Sequence, residues 1–230
     1  MLLADDQELV RTGFRMILQE EPDITVAGEA TTGEEAVRLG RELHPDVILM
    51  DIRMPRLDGI AATRQLLAGD CVPQPKIIIL TTFDLDEYVY DALVAGACGF
   101  LLKDVRADQL IAGIRSAATG EALLAPAITQ RLISRFVERP PATPALPGVN
   151  DLTQRENEIL VLIAGGLSNT EIGAELHIGE ATVKTHITHL LMKLGLRDRV
   201  QAVVLAYETG IVQPGHTRAG PGRPPTNAQP

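Results

Sequence analysis

The chain is poor in the features of membrane, secreted and disulfide-stapled proteins. It has 230 residues with no tryptophan, and aromatic residues make up only 3%. The two cysteines, Cys71 and Cys98, match no metal-ligand or disulfide spacing, so we expect a reduced, cytoplasmic setting. No apolar run approaches the ~20 residues of a membrane helix, and the first residues lack the basic and apolar regions of a signal peptide. We therefore expect no membrane association.

The chain also lacks an excess of positive charge. Its formal net charge is −9, and most of the negative charge lies within residues 1–125. A protein this acidic is a poor nonspecific ligand for nucleic acid, whose phosphates attract Lys and Arg. Any contact with DNA must therefore come from a locally basic face.

Residues 1–125 alternate between short apolar runs and amphipathic segments. The apolar runs predict strands buried on both faces, as in a parallel sheet, at 1–4, 24–30, 46–51, 76–82 and 99–103. Apolar residues at helical spacing predict helices at 7–20, 33–43, 58–69, 86–95 and 106–119. Repeated strand–helix units predict an α/β domain whose parallel sheet is covered by helices on both faces.

The remaining sequence predicts a linker, a second domain and a tail. Residues 126–137 are expected to form a further helix, and residues 138–148 contain four prolines and predict a stiff, extended linker. The segment after Pro214 is rich in Gly and Pro and is expected to be disordered. The predicted organisation is a first domain, a helix with linker, an all-helical domain and a tail, over 1–120, 121–150, 151–212 and 213–230.

Polar side chains stand where four of the predicted strands end. Asp5 and Asp6 follow the first strand, and Asp51 ends the third. Thr81 and Lys103 end the fourth and fifth strands. The carboxyl edge of an open parallel sheet is where ligands bind. Close carboxylates repel one another unless a cation is present, and Mg²⁺ and Lys103 are the cations available here.

The spacing of these residues resembles the receiver domain of response regulators. Thr81 and Lys103 follow Asp51 by 30 and 52 residues, and two stretches match the family's motifs, Asp51-Ile-Arg-Met-Pro-Arg-Leu-Asp-Gly59 and Gly99-Phe-Leu-Leu-Lys103. The resemblance covers roughly residues 1–120. It implies a doubly wound, five-stranded, flavodoxin-like parallel sheet in the order 2-1-3-4-5, in which strands 1 and 3 bring the three aspartates together.

The resemblance also implies a role for each residue of this site. Asp51 would be the phosphoacceptor, a nucleophile that forms an aspartyl phosphate. Lys103 and Mg²⁺ would neutralise charge on the transferring oxygens. Thr81 would hydrogen-bond the phosphoryl group, and Phe100 would follow by changing its packing. Asp58 is expected to cap the next helix rather than bind metal. The expected Mg²⁺ ligands are Asp5, Asp6, Asp51 and the backbone carbonyl of Arg53.

Residues 151–212 resemble the LuxR-type helix-turn-helix domain of NarL/FixJ regulators, a small all-α domain of four helices. Local signals agree, because Thr153 with Glu156, and Ser168 with Glu171, predict capping boxes. Gly173 is expected to weaken its helix by ~1 kcal/mol relative to Ala. The stretches that match the family are 152–156, 166–172 and 182–186.

The second helix of this motif, at about 181–194, has a cationic and hydroxyl-rich outer face. No acidic residue occurs between 181 and 197. Such a helix suits the major groove, where Lys and Thr reach base edges and phosphates. The residues expected to face inward are Val183, Ile187, Leu190, Leu191 and Leu194. By position in the family motif, base contacts are expected from Lys184, Thr185 and Thr188, and phosphate contacts from Thr182, Lys193 and Arg197.

Together the two resemblances predict a two-component transcription regulator. A sensor histidine kinase would donate a phosphoryl group to Asp51, since this chain has no ATP-binding motif of its own. Phosphorylation would favour a homodimer, or free the helix-turn-helix, so that the protein binds paired promoter sites. The last helix is apolar over residues 200–206 and is the expected dimer interface. RNA polymerase is a further candidate partner.

Three alternatives stay open. A phosphatase-like hydrolase would share the carboxylates and Lys103, but it would need a general acid two residues after the nucleophile, where this chain has Arg53. A phosphate-independent regulator is suggested only by the first strand, which is shorter than such domains usually have. In the second domain, the basic helix face could be merely solvated. We predict a regulator and not an enzyme, because an enzyme would leave the helix-turn-helix unexplained.

Overall fold

The fold is described by a computed structural model over residues 1–68, 73–81, 86–119 and 151–212, with only the backbone at 86 and 87. Within these ranges, no helix combines the length and the apolar character needed to cross a membrane. The predicted helix at 126–137, the proline-rich linker and the tail lie outside the described residues.

The first domain is built on a five-stranded parallel sheet, and its order β2-β1-β3-β4-β5 is the predicted one. Ala4 pairs with Ala30 on one side and with Met50 on the other. This register aligns the carboxyl ends of the first and third strands where the strand order reverses, which is the ligand-binding edge of doubly wound sheets. The strands are β1 (Leu2–Ala4), β2 (Gly28–Ala30), β3 (Val47–Asp51), β4 (Lys76–Thr81) and β5 (Gly99–Leu102).

Strand β2 is shorter than the predicted 24–30, and the prediction was wrong for its first four residues. Its neighbour β1 has only three residues, so the segment before Gly28 has little to pair with. Ala27 donates its N–H to the carbonyl of Met1 at 2.8 Å, and the Met1 ammonium donates to the carbonyl of Thr25 at 2.7 Å. The apolar pattern overestimated this strand because strand length depends on the partner as well as on the sequence.

Each strand is followed by a helix, and these five helices cover both faces of the sheet. Two of them begin at side-chain caps: Thr32 accepts from the N–H of Glu35 at 3.1 Å, and Asp58 accepts from the N–H of Ala61 at 2.7 Å. The prediction that Asp58 is a helix cap is confirmed. The helices are α1 (Glu8–Gln19), α2 (Gly33–Leu43), α3 (Gly59–Leu67), α4 (Asp86–Val94) and α5 (Ala107–Ala118).

The sheet separates two apolar layers. Alternate residues of β3 point to opposite faces: Leu49 packs with Leu18 of α1 and Ile114 of α5, whereas Ile48 and Met50 belong to the layer that includes α2, α3 and α4. Because β3 is buried on both faces, its last residue reaches the edge of the sheet with little freedom to move.

The second domain consists of four helices. Both predicted capping boxes are present, Thr153 with Glu156 at the start of the first helix and Ser168 with Glu171 at the start of the second. His177 adopts a left-handed backbone conformation (φ 56°) and ends the second helix. The helices are α6 (Gln154–Ala164), α7 (Asn169–Leu176), α8 (Glu180–Leu194) and α9 (Arg199–Glu208).

Gly173 lies inside α7, where helix propensity predicts only a weakened helix. A Cβ at this position would lie 2.8 Å from the carbonyl oxygen of Ile178. Ile178 in turn donates its N–H to the carbonyl of Gly173 at 2.9 Å. Glycine therefore allows the turn between α7 and α8 to fold back onto α7, and propensity alone was an incomplete guide to this position.

The two domains contact each other through α4 and α9. Tyr90 of α4 donates its hydroxyl to Glu208 of α9 at 3.0 Å. Arg197, just before α9, donates to the side chain of Gln74 at 3.2 Å, and a methyl group at Gly96 would overlap its guanidinium. Seven of the ten residues of α9 are buried, so this helix is covered on several sides.

Candidate functional site

The carboxyl edge of β1 and β3 brings three aspartates together. One carboxylate oxygen from each of Asp5, Asp6 and Asp51 lies within 4.8 Å of the others. Asp5 and Asp51 are 1% and 4% exposed, whereas Asp6 is exposed. Two buried carboxylates this close to a third require compensating positive charge.

Lys103 lies between the two buried carboxylates. Its Nζ is 2.8 Å from Asp5 Oδ2 and 3.0 Å from Asp51 Oδ2. The lysine is held in place by its backbone N–H, which donates to the carbonyl of Thr81 at 2.9 Å. Among the described residues, Asp5 Oδ2 accepts no well-oriented hydrogen bond. The ammonium of Lys103, 2.8 Å away, supplies the positive charge that balances this atom.

The surroundings of Asp51 raise the pKa of its carboxyl group above the ordinary value. Burial is the largest cause, the hydrogen bond from Lys103 opposes it, and the charge of Asp5 adds to it. For Lys103, burial lowers the pKa, but the two carboxylates outweigh burial and the net pKa is raised. Lys103 therefore stays protonated, beside a carboxylate that is more basic than an exposed aspartate.

The outer face of α8 is open to solvent, even though the neighbouring α9 packs against the first domain. Val183 and Leu190 are fully buried, and Ile187, Leu191 and Leu194 are partly buried against the same core. The predicted inward residues are therefore confirmed. The exposed side chains of this face are Thr182, Lys184, Thr185, Thr188, His189 and Lys193.

Both halves of the chain match known protein families. The family described as response regulator receiver domain matches residues 1–115, and bacterial regulatory proteins of the luxR family match residues 150–206. The chain is 48% identical to the transcriptional regulatory protein LiaR of Bacillus subtilis (strain 168) over 212 residues. This alignment covers 92% of this chain and 98% of that protein. The chain belongs to the LuxR-type response regulators.

Other relatives agree with this assignment. This LuxR-type response regulator is 39% identical over 213 residues to response regulator protein VraR of Staphylococcus aureus (strain NCTC 8325 / PS 47), over 93% of this chain and 98% of that protein. The crystal structure of response regulator ChrA in a heme-sensing two-component system shares 38% identity, with a TM-score of 0.50, over 92% of this chain and 97% of that chain. The protein is thus a regulator of transcription that depends on phosphorylation, and not an enzyme.

A second solved structure resembles part of this chain. A two-component response regulator of the LuxR family from Aurantimonas sp. SI85-9A1 shares 32% identity and a TM-score of 0.54, over 59% of this chain and 96% of that chain. Membership in the family implies a histidine kinase and DNA as the two partners of this response regulator.

The aspartate cluster of this response regulator fits a hard divalent cation. Mg²⁺ prefers oxygen ligands from few carboxylates and keeps positions for water and phosphate. Asp5, Asp6 and Asp51 offer carboxylate oxygens within one ion's reach of each other, and the buried Asp5 Oδ2 lacks a directed hydrogen bond within the described residues. The donors present therefore suit Mg²⁺ by number and by chemistry.

Thr81 and Phe100 lie on the two strands that border the site. Thr81 ends β4 and is 5% exposed, and Phe100 of β5 pairs with Ile79 and is 3% exposed. Both side chains are therefore buried in this structure and not exposed to solvent. Their response to a phosphoryl group on Asp51 stays a prediction.

Two contributors to the acidic site were not predicted. Arg11 of α1 donates to the backbone carbonyl of Asp5 at 2.8 Å and pairs with Glu29 at 3.1 Å. Gly59 begins α3 so close to β3 that a Cβ there would overlap the carbonyl oxygen of Asp51. The Asp-Gly dipeptide was an available signal for Gly59, but no local pattern points to Arg11, whose role depends on a contact between separate elements.

Cations predicted to touch DNA are engaged within the protein. Lys193 Nζ lies 2.7 Å from Glu156 Oε2, and Lys184 Nζ lies 3.2 Å from Glu180 Oε1 on its own helix. Arg197 reaches into the first domain, as described above. The DNA contacts of all three residues stay predictions. To contact DNA, each side chain would have to break its present interaction within the protein or share it with the DNA.

Proposed function

We propose that Asp51 accepts a phosphoryl group from a sensor histidine kinase, and that the protein then binds promoter DNA through α8 as a homodimer. The observation that carries this proposal is the Lys103 ammonium, placed at 2.8 and 3.0 Å from the buried carboxylates of Asp5 and Asp51. Lys103 balances the charge of these two carboxylates, and the same ammonium would lie beside the oxygens of a phosphoryl group on Asp51 and neutralise their charge.

The reaction requires only a nucleophile and a means of stabilising charge. A carboxylate oxygen of Asp51 attacks the phosphorus of the kinase phosphohistidine, a P–O bond forms, and the P–N bond breaks as the imidazole leaves with its electron pair. Lys103 remains beside the new phosphoryl oxygens, and Thr81 is expected to donate a hydrogen bond to one of them.

Mg²⁺ is the proposed cofactor. Asp5, Asp6, Asp51 and the backbone carbonyl of Arg53 would hold it, and when bound it would supply positive charge to the transferring oxygens. The N–H of Arg53 already helps to lower the pKa of Asp51, so its peptide group lies beside the site.

The proposed DNA surface is the exposed face of α8. Hydroxyl and amine groups on an exposed helix suit the base edges and phosphates of a major groove. The proposed base contacts are Lys184, Thr185 and Thr188, and the proposed phosphate contacts are Thr182 and Arg197. The phosphate contact predicted for Lys193 competes with its ion pair to Glu156. Because so few cations lie on this face, a single domain would bind a half-site weakly, which favours a dimer on paired sites.

The packing of α9 suggests how phosphorylation could act at a distance. The apolar residues 200–206, proposed as the dimer interface, are largely buried, and α9 packs on α4 of the receiver domain. A dimer that uses α9 would have to displace α4. In the proposed switch, α9 packs either on α4 of the same chain or on a second copy of the protein. Thr81 ends β4, the strand that precedes α4, and so would link phosphorylation of Asp51 to the release of α9 from α4.

The decisive experiment measures DNA affinity and oligomeric mass with and without acetyl phosphate and Mg²⁺. The probe is a duplex selected from a random pool by the phosphodonor-treated wild-type protein. The wild-type protein is compared with Asp51→Asn, which keeps the shape of the side chain and removes the nucleophile. The phosphodonor is expected to tighten binding and to double the mass of the wild-type protein only.

Asp58→Asn is the matched control, because Asp58 is a helix cap that asparagine can replace. This variant is expected to respond to acetyl phosphate as the wild-type protein does. Equal DNA affinity and mass of Asp51→Asn and wild type, whether or not phosphodonor is present, would mean that the receiver is a constitutive scaffold.

A further inference from the structure

Most cations of the DNA-binding domain hold the domain together. The sequence has five Lys and Arg between residues 151 and 212. Arg155 of α6 donates to the carbonyl of Leu176 at 2.9 Å, and Arg199 of α9 donates to the side chain of Asn169 at 2.9 Å. Both bonds connect separate helices of the domain. Lys193 makes the third connection of this kind.

The partner of Lys193 is a buried and heavily used carboxylate. Oε2 of Glu156 accepts hydrogen bonds from the backbone N–H of Thr153 at 2.8 Å, from the Thr153 hydroxyl at 2.9 Å and from Lys193 Nζ at 2.7 Å. The side chain of Glu156 is 6% exposed, whereas that of Lys193 is 38% exposed. The capping box of α6 thus holds the carboxylate of Glu156 in place, and the longer side chain of Lys193 extends to reach it.

This ion pair connects the first turn of α6 to the last turn of α8. The ammonium also lies where a cation is favourable, near the negative end of the α8 dipole. Residues that read bases lie toward the start of a recognition helix, and Lys193 follows Lys184 by nine positions, or about 14 Å along the axis. Lys193 is therefore placed to hold the far end of the helix.

We propose that Lys193 is a positioning residue for DNA binding, which locks α8 onto α6 through Glu156 instead of contacting a phosphate. This inference rests on the proposed DNA-binding function. A phosphate contact by Lys193 would leave the buried carboxylate of Glu156 without its cation, and an unpaired buried charge is strongly unfavourable. The two roles therefore compete for one ammonium group, and the geometry favours the internal one.

The test uses the full chain with acetyl phosphate and Mg²⁺, and the duplex selected by the wild-type protein. Affinity is measured over a range of KCl concentrations for Lys193→Met, Glu156→Gln and the double variant. Lys193→Met keeps the aliphatic stem, and Glu156→Gln keeps an oxygen that accepts from Thr153. Lys193→Arg, which retains a cation that can pair with Glu156, is the conservative variant and is expected to recover the affinity that Lys193→Met loses.

A positioning role predicts that each single variant loses about tenfold in affinity, that the double variant is no worse than either, and that the dependence on salt is unchanged. A phosphate contact predicts a different pattern. Lys193→Met would then lower the slope of log affinity against log salt by about 0.9. Glu156→Gln would bind as well as the wild type or better, because it removes a negative charge near DNA. This second pattern would overturn the inference.

A second readout does not depend on DNA. The hydrogen bond from Lys193 is the main cause of the low pKa of Glu156, which is about 2. Measured by NMR, this pKa is expected to rise toward the ordinary range in Lys193→Met, and an unchanged pKa would also overturn the inference. If the wild-type protein selects no duplex at all, the proposed function itself fails, whatever the state of the ion pair.

Discussion

Asp51 illustrates how the fold alters a single residue. An aspartate at the end of a strand is ordinary in isolation, but burial, with the neighbouring charge of Asp5, raises its pKa from the usual 3.8. The folded state therefore binds this proton more tightly than the unfolded state. The protonated group contributes stability below pH 3.8, and this contribution is lost as the pH rises through the raised pKa. At neutral pH the ionised Asp51 costs stability, which is consistent with a group kept for its reactivity.

Because ionised Asp51 lowers the stability of the folded state at neutral pH, we predict that Asp51→Asn stabilises the metal-free protein at pH 7. The neutral amide removes one buried charge from a pair of close carboxylates, and the gain should be about 1 kcal/mol. Chemical denaturation in EDTA, repeated at decreasing pH, measures it. The gain should shrink as the pH falls toward 4, because Asp51 of the wild-type protein then becomes protonated.

Asp58→Asn is again the control, and it should change stability little at any pH because an exposed cap is replaced by another good cap. A loss of stability in Asp51→Asn at pH 7, or a gain that grows as the pH falls, would contradict the prediction.

At the scale of single elements, two glycines in helices show that the same residue can have opposite effects. Gly13 of α1 is exposed, and a Cβ there would meet nothing within 4 Å. Gly173 of α7 faces the carbonyl of Ile178, which a Cβ would approach to 2.8 Å. Helix propensity treats the two positions alike. Only the neighbouring turn distinguishes them.

We predict that Gly13→Ala stabilises the protein and that Gly173→Ala destabilises its second domain. The first change gains up to about 1 kcal/mol of helix propensity. The second gains the same propensity, but it must push the α7–α8 turn away from a backbone atom, so the net effect should be a loss of about 1 kcal/mol or more. Thermal unfolding of both variants measures this, and each serves as control for the other. If both substitutions stabilised the protein, the α7–α8 turn would be able to move away from the new methyl group with little loss of free energy.

At the scale of the whole molecule, the described residues connect the two domains through polar contacts and through the packing of α9 on α4. Tyr90 bonds to Glu208, and Arg197 bonds to Gln74, while α8 stays exposed. The receiver therefore covers the helix proposed for dimerisation and leaves the proposed DNA-reading face open. In this arrangement, inhibition would act on assembly and not on access to the groove.

We predict that Tyr90→Phe shifts the unphosphorylated protein toward an open and DNA-binding form. Loss of one hydrogen bond to a carboxylate costs about 1 kcal/mol, which corresponds to about a fivefold change in the fraction of open molecules. Small-angle scattering should show a larger radius of gyration, and affinity for the selected duplex should rise without phosphodonor.

Tyr88→Phe is the matched control, since it removes a hydroxyl from the same helix at a position outside the contact with Glu208. It should leave size and affinity unchanged. If Tyr90→Phe behaved like Tyr88→Phe, the hydroxyl of Tyr90 would contribute nothing to the interdomain contact.

The sequence by itself determined the features that depend on nearby residues. Alternating apolar runs located five strands and the helices between them, and the pairs Thr153–Glu156 and Ser168–Glu171 located two helix starts, because capping acts over three residues. The spacing of Asp51 and Lys103, matched to a known family, predicted a shared site and the strand order. Helical periodicity also separated the inner and outer faces of α8.

The tertiary structure decided what depends on residues distant in the chain. The length of β2 was decided by the three residues of β1, and the need for Gly173 by the turn that follows it. The partner of Lys193 is Glu156, 37 positions away, and no local pattern connects them. The packing of α9 also depends on distant residues. Its apolar residues predict that the helix is buried, but not which surface it packs against. Which surface covers it is a matter of packing between domains, since the hydrophobic effect rewards burial without specifying the partner.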